Sequence, residues 1–520
     1  MPVASHHPKY DCFRPLWDKC RVVVKGEDAV KAAATTYLPL LTDQDNNEYE
    51  AYKQRASFYN ATGRTVEGLA GAVTRKKAEL KVPKQMEEVL KHVGVKGQPL
   101  DILIKDSLEE VLTTSRYAQH VDAPVTPNAD PYVATYCAED VINWQQELID
   151  GKEEYVLVVV AEKTMVKDVK DPYVMKMEDR WRVLKLERGS LVKVATKDGE
   201  EDAVVATGDD DANRTYVVEV WREKKLGEQV SGEDRYVMES RLIPRKRGGK
   251  AWDRIPFQFV NPSGVSDELE EPVILDLANV NLSLYRNSAD YEHGLHFTAL
   301  PTVWTAGFEV KAGTKLRVGS NNSWNAEDPA AKCGMLEFTG AGMAALKENM
   351  EAKKRELAVL GARLLEEQKK EAEAAATVTL RQAGEQSILS NVAKSVSSGW
   401  TQCLKWVAEW MNLPSDGVEV SLSQDFITVP LDAQTLAQIS ADVQAGMQSW
   451  ENYFYNLKRA EMVPDNVTAE DMRAQIEAGV PMAKPTPAQE FELEKQKQAA
   501  EQQIKVAKET KPEPAPKPAA

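Results

Sequence analysis

The sequence predicts an α+β fold, with helices and an antiparallel sheet in separate stretches of the chain. Three changes of period carry that class. Near the start, apolar and aromatic residues recur every three to four positions, as at Tyr49, Tyr52, Ala56 and Tyr59. Between residues 155 and 247 the period drops to two, in Val- and Tyr-rich runs such as "YVLVVV", "RWRVLKL" and "TYVVEVW". From Pro272 onward helical spacing returns in three long runs. The chain has 520 residues, room for several structural units and at least one sizeable core.

Taken in order, residues 37–80 read as helix broken at Gly63, with a tighter stretch over 66–73. Gly68 and Gly71 in that stretch are no phosphate loop, because no Gly-Lys-Ser/Thr follows. Residues 100–115 form another helix. The period-two region predicts an antiparallel sheet of five or six strands, with Gly189-Ser190 as a hairpin turn and Asp198-Gly199 and 208–213 as loops. Residues 255–271 close the sheet. Pro272 sits at the favoured first-turn position of a helix that runs to about Ala299, before Pro301 stops it. Its ~28 residues span roughly 40 Å at about 1.5 Å per residue. Val273, Leu277, Val280 and Leu284 form its apolar stripe. A short mixed segment, 302–338, holds candidate strands at 303–304, 315–318 and 335–338, with turns at Gly307, Gly313, Gly319 and Gly334. A second long helix over 343–368 places Leu346, Met350, Leu357, Leu360 and Leu364 on one face. After the small, charged stretch 366–376, residues 377–411 read as a third long helix with Gly384 and Gly399 as kink points, ended by Pro414. Residues 417–429 alternate and predict a strand returning to the earlier sheet. Two or three helices fill 431–479. From about Pro485 a polar stretch leads to "TKPEPAPKPAA", a Pro/Lys/Ala end that cannot bury a core. There is no internal repeat.

Composition excludes several function classes. Net charge is −16 and the isoelectric point about 5.1. A protein that grips DNA by its phosphates is basic at least locally, and here basic residues are interleaved with acidic ones. A stable DNA binder is therefore disfavoured, while an acidic surface that DNA passes without sticking fits. Mean hydropathy is −0.45, and no apolar run approaches the ~20 residues of a membrane helix. The first ten residues are polar and lack an apolar signal core. The expectation is a chain kept in the cytoplasm unless a particle carries it out. The cysteines (Cys12, Cys20, Cys137, Cys333, Cys403) are scattered and odd in number, which reads as reduced, structural thiols. His293 and His296 sit i, i+3 on a predicted helix without a second ligand pair, so packing or surface histidines are expected there. No Walker loop, His-Glu-x-x-His or Gly-x-Ser-x-Gly occurs. The "GAGMAAL" at 340–346 looks like a dinucleotide loop but lacks the preceding strand and following acidic partner. Glu366-Glu367 lies in a solvated, helix-like context. The expectation is a non-enzymatic chain without catalytic residues, metal site or cofactor.

The order of elements, sheet, long helix, small insert, long helix, short loop, third helix, returning strand and helical end, resembles the portal proteins of tailed bacteriophages. The stretches that carry the resemblance are 37–73 ("YLPLLTDQDNNEYEAYKQRASFYNATGRTVEGLAGAV"), 271–307 ("EPVILDLANVNLSLYRNSADYEHGLHFTALPTVWTAG"), 336–365 ("LEFTGAGMAALKENMEAKKRELAVLGARLL") and 376–393 ("ATVTLRQAGEQSILSNVA"). They look like a portal subgroup often described only as a domain of unknown function. The resemblance spans roughly 40–485. It implies a β-rich wing (1–262), a first stem helix (263–300), a small α/β clip (301–339) and a second stem helix (340–366). It then implies a tunnel loop (367–376), a kinked tunnel helix with a returning wing strand (377–430), a helical crown (431–484), and a polar helix with a disordered tail (485–520).

In function, the resemblance implies a ring, usually a dodecamer, at one capsid vertex of the virion, assembled in the host cytoplasm. Double-stranded DNA is packaged and ejected through such a ring. The terminase large subunit docks on it first, and head-tail adaptor and tail proteins replace the motor; major capsid and scaffolding proteins are further partners, and no membrane is involved. The resemblance also places Lys311, Lys315 and Arg317 as basic contacts of the clip, with Trp324 as its apolar anchor. In the tunnel loop, Lys369 and Lys370 would touch phosphates transiently, with Glu367, Glu371 and Glu373 limiting how tightly they hold. Plainer readings stand beside these. A Lys-Lys pair among glutamates is also what a solvated helix face looks like, Trp324 fits a small local core, and long helices occur in ordinary bundles. A non-portal scaffold or adaptor built on a long helical hairpin is the alternative, and it would assemble without a central channel.

Overall fold

The computed structural model describes residues 3–122, 129–168, 171, 173–196, 199–205, 214–225, 235–298, 302–308, 324–326, 328–336, 341–363, 388–424, 426, 433–445, 447–459, 462–463 and 467–477. The class is α+β, as expected. The chain divides into two compact units, Met1–Phe426 and Ile427–Ala520.

The first unit opens with α1 (Pro8–Lys25), which carries Pro15 inside it, then α2 (Glu27–Ala32), α3 (Asn46–Arg55) and α4 (Ala61–Thr74). β1 (Glu79–Lys81), α5 (Lys84–Glu87) and α6 (Leu100–Thr114) follow. The expected helix over 37–80 is thus two helices, and the break is not at Gly63. Asn60 caps α4 by accepting from the Gly63 N–H at 3.0 Å. Gly63 lies inside that helix, where a Cβ would sit 2.5 Å from the Val24 carbonyl oxygen. α6 turns Leu100, Leu103, Ile104, Leu108, Val111 and Leu112 inward, the i, i+3, i+4 stripe of an amphipathic helix. They share one core with Trp17, Cys20 and Val23 of α1 and with Val66, Leu69 and Val73 of α4.

The strands are β2 (Tyr117–Asp122), β3 (Tyr132–Cys137), β4 (Val141–Ile149), β5 (Lys152–Lys167) and β6 (Met175–Arg188). They continue with β7 (Ser190–Thr196), β8 (Gly199–Val205), β9 (Arg214–Glu223), β10 (Tyr236–Leu242) and β11 (Phe257–Val260). The expected sheet exists as five antiparallel strands in the order β10-β9-β6-β5-β4. It begins earlier than expected, at Val141, because Asp150-Gly151 turns β4 into β5 with both residues at positive φ (50° and 78°). Asp-Gly with two positive φ values is the favoured two-residue hairpin. Gly189-Ser190 is not a hairpin turn: β6 pairs with β5 and β9, whereas β7 pairs with β8 in a separate ribbon. Gly199, expected in a loop, is the first residue of β8; Asp198 and 208–213 lie outside the described residues. The stretch expected to close the sheet supplies β11 to a second sheet, β11-β2-β3, whose β2 and β3 have no counterpart among the expected elements. All six residues of β2 are buried, so the strand shows no polar alternation to read.

The rest of the unit comprises α7 (Leu275–Thr298), β12 (Thr302–Ala306), β13 (Lys332–Leu336), α8 (Ala341–Arg363), α9 (Ile388–Trp410) and β14 (Glu419–Ser421). α9 runs unbroken through Gly399, so that glycine ends no helical segment; Gly384 lies outside the described residues. β14 does not return to the earlier sheet. It pairs with β1, Leu80 opposite Val420, and its other edge is held by α9 hydroxyls: Val420 N donates to Thr401 Oγ1 at 2.9 Å and Leu422 N to Ser397 Oγ at 3.1 Å. Among the described residues no helix is long and apolar enough to cross a membrane.

The second unit holds α10 (Ala433–Gln444), α11 (Trp450–Arg459) and α12 (Ala469–Glu477), within the expected two or three helices. Phe454 and Leu457 of α11 are buried, and the Trp450 indole donates to the Ala469 carbonyl at 3.2 Å.

Candidate functional site

α7 and α8 form an antiparallel hairpin that carries the strand pair β12–β13 between them. Its root is pinned by buried polar side chains. Asn281 accepts from the Thr62 N–H (3.1 Å) and hydroxyl (2.9 Å), and its amide donates to the Tyr59 carbonyl at 2.9 Å. Ser288 accepts from Ser57 N at 3.1 Å and donates to the Ser57 carbonyl at 2.6 Å. Tyr52 donates to Asp290 at 2.6 Å. A buried polar group without such partners costs free energy, so Asn281 and Ser288 fix both the depth and the rotation of α7.

Beyond Ala289 no residue of α7 is buried. The two helices run side by side: Lys353 of α8 donates to the Ser283 hydroxyl of α7 at 2.7 Å, and a Cβ on Gly294 would lie 2.7 Å from the Met343 sulfur. Burial and the nearby Arg286 push the Lys353 ammonium down. Of the described residues of α8, Leu357 alone is buried; Met350 and Leu360 are half-covered and Val359 is exposed. At the far end, β12 pairs with β13 from Thr302↔Leu336 to Ala306↔Lys332. Trp304 stands opposite Gly334, where a Cβ would meet its indole at 2.9 Å. Gly334, expected in a turn, is a strand residue that leaves room for this ring, while Gly307 (φ 78°) is a turn as expected. Phe297, Trp304 and Met335 remain exposed here.

Of the residues named from the sequence, Trp324 is half-buried, with partners of its own. Lys311, Lys315 and Arg317, together with Glu367, Lys369, Lys370, Glu371 and Glu373, lie outside the described residues. Trp304 is not among the residues singled out from the sequence, although "TVWTA" marks its strand; a tryptophan whose ring lies on a glycine one strand away has no signature along the chain. His293 packs edge-on to Tyr52 and Phe297, at ring distances of 5.2 and 4.7 Å, and burial lowers its imidazole. Among the described residues no three His, Cys, Asp or Glu side chains gather as a metal would require.

A cleft of about 930 Å³ opens elsewhere in the first unit, lined among others by Asp122, Tyr132, Tyr136, Glu162, Trp181 and Arg182. Three of its charged side chains engage one another. Arg182 donates to Glu162 at 2.8 Å and to Asp122 at 3.3 Å, while Tyr132 donates to Asp122 and Tyr136 to Glu162. Burial, with Glu162 beside it, pushes the Tyr136 hydroxyl well up. Such an arrangement holds strands together and leaves Asp122, Glu162 and Arg182 committed to one another.

Residues 273–411, from the start of α7 to just past α9, match the model of a family described as a domain of unknown function (DUF4055). No curated protein matches the chain. Solved structures similar to it include the neck of an empty gene transfer agent particle computed with C6 symmetry. That match has 11% identity and a TM-score of 0.35, covering 82% of this chain and 97% of the other. The neck of a native gene transfer agent particle computed with C12 symmetry follows, with 10% identity and a TM-score of 0.34 over 82% of this chain and 97% of the other. A virion of the native gene transfer agent particle matches at 9% identity and a TM-score of 0.32, over 80% and 93%.

Proposed function

We propose that the chain is a portal-type ring subunit, a non-enzymatic channel at a phage capsid vertex through which double-stranded DNA passes. In this reading the α7–α8 hairpin is the stem, and β12–β13 belongs to the clip that meets the packaging motor and, later, the adaptor. The observation that supports it is the bareness of the hairpin. A 23-residue helix with Leu357 as its one buried described residue gains little from its own chain, since helices in proteins draw most of their stability from packing an apolar face. Copies arranged about an axis would cover Leu346, Met350, Val359 and Leu360 from the side. The same hairpin root, held by Asn281 and Ser288, would keep neighbouring stems in register. The acidic balance of the chain, −16, suits a channel that does not hold the DNA backbone.

The experiment is imaging of the purified full chain by negative stain, with native mass on the same sample. Rings of about twelve subunits with a central hole are the expected result. A dimer or small bundle without a channel would favour a scaffold or adaptor built on the same hairpin.

A further inference from the structure

One stretch breaks the acidic character of the chain. Residues 241–254, "RLIPRKRGGKAWDR", hold six cations against one carboxylate, Asp253. Arg241 lies within β10, paired with Glu187 at 2.6 Å, and residues 245–251 fold into a tight hairpin: Lys246 N donates to the Lys250 carbonyl at 2.8 Å, Gly249 N returns to Lys246 at 2.9 Å, and Gly248 and Gly249 turn the chain at φ 100° and 85°. The hairpin is seated on the C-terminal end of α9. Arg247 N donates to the Trp410 carbonyl at 2.9 Å, Lys246 reaches Glu409 at 3.2 Å, and Arg247 reaches Asp130 at 2.7 Å. Lys250 is exposed on it, and Arg254, 3.5 Å from Asp253, is exposed just beyond it.

The opposite holds just past β11. From Ile255 to Tyr285 there is no Lys or Arg, and Asp267, Glu268, Glu270 and Glu271 fall together. This acidic turn is rigidly built: Asn261 donates to the Ser266 carbonyl (3.0 Å) and the Glu268 carbonyl (2.6 Å), Arg116 donates to the Asp267 carbonyl at 3.0 Å, and Ser263 donates to Glu270 at 3.0 Å. Glu268, Glu271 and the apolar Val265 are exposed. It adjoins the N-terminal half of the same helix, where Ser395, the eighth residue of α9, donates to the Pro262 carbonyl at 2.9 Å. Fifteen residue steps of α9 therefore separate the two anchoring points, about 22 Å at about 1.5 Å per residue.

We infer that the basic hairpin of one copy of this chain docks on the acidic turn of the next, so that copies associate head to tail. Two different, complementary patches anchored about 22 Å apart along one helix do not meet within a chain. A head-to-tail contact generates a closed ring when its rotation closes, and a filament when it does not. Complementary charge of this kind sets register and steers encounter more than it adds affinity. DNA is the lesser fit for the hairpin, because the chain as a whole repels phosphates while its own acidic turn matches the hairpin in charge and in rigidity. The inference rests on the ring reading only for closure; the contact itself does not need it.

The test is charge reversal in the full chain, read as the protein concentration at half-assembly by native mass and light scattering. K250E with R254E, and separately E268K with E271K, are expected to raise that concentration at least tenfold each. Mixed one to one, the two reversed chains are expected to assemble within threefold of the unaltered protein, and so is one chain carrying all four changes. That rescue also shows that the variants fold. Unaltered assembly of both reversed chains, or no rescue on mixing, overturns the inference while leaving a ring in place. Charge-sensitive assembly into open chains or dimers keeps the contact and overturns the ring. A chain that stays monomeric at all concentrations overturns both. Loss of binding to a 30-base-pair DNA duplex in K250E/R254E, with assembly untouched, assigns the hairpin to DNA and overturns the inference.

Discussion

Gly399 illustrates what a single residue does in the middle of a helix. A Cβ there would lie 2.6 Å from a methyl of Val260 on β11, and the Gly399 carbonyl accepts from the buried Gln258 amide at 2.6 Å. Gly399→Ala is expected to cost about 1–3 kcal/mol in denaturant unfolding, and Val260→Ala in the same chain should recover part of that loss. His120 gives a second prediction at this scale. It is fully buried on β2 with Nε2 2.8 Å from the Tyr216 hydroxyl, and burial lowers its imidazole to about 4. An exposed histidine in the unfolded chain titrates near about 6.5. The unfolded state therefore binds more protons between those values, so this contribution is complete above about pH 6.5 and is lost as pH falls toward 4. It is on the order of 3 kcal/mol. Unfolding followed from pH 7 to 4 should show a shallower loss in His120→Gln than in the unaltered chain; equal slopes would remove His120 as the cause. Neither role is legible in the sequence. Gly399 stands out there, but as a kink, because whether a glycine serves flexibility or close approach depends on a neighbour in space. His120 sits in a strand buried on both faces, where no alternation singles it out.

At the scale of elements, an arginine joins three of them. Arg21 of α1 donates to Glu110 of α6 at 2.7 and 2.9 Å and also to Glu139 in the turn between β3 and β4. All three side chains are largely covered. Arg21→Leu leaves two carboxylates with no cation and is expected to cost about 3–5 kcal/mol, whereas adding Glu110→Gln and Glu139→Gln should return much of the loss. Chemical unfolding of the single and triple variants checks this. On the proposed portal reading, charge reversal at Lys315 and Arg317 is expected to leave ring formation intact and abolish motor docking; a pull-down in which docking is normal would remove these residues as the motor contact. Long periodic elements are the legible ones: α6, α7, α8 and strands β5, β6, β9 and β10 of the five-stranded sheet follow their apolar spacing. What escapes the sequence does so for physical reasons. Pro15 disguises α1, buried β2 lacks alternation, and the pairing of β14 with β1 joins residues more than three hundred positions apart. Asp150-Gly151 is a readable hairpin signal that lies just outside the stretch of strong alternation.

For the whole molecule, the question is how a strongly acidic chain would come to pack against copies of itself. A net charge of −16 opposes association at long range, and salt weakens that opposition beyond a Debye length of about 8 Å at physiological ionic strength. The bare α8 and the opposed charges of the hairpin at 245–251 and the turn at 267–271 are the features that would overcome it. Negative-stain imaging of the full chain, with native mass on the same sample, decides whether they do. Rings of about twelve copies around a central hole are the predicted result. A monodisperse monomer or dimer without a channel, persisting at high protein concentration, would contradict it.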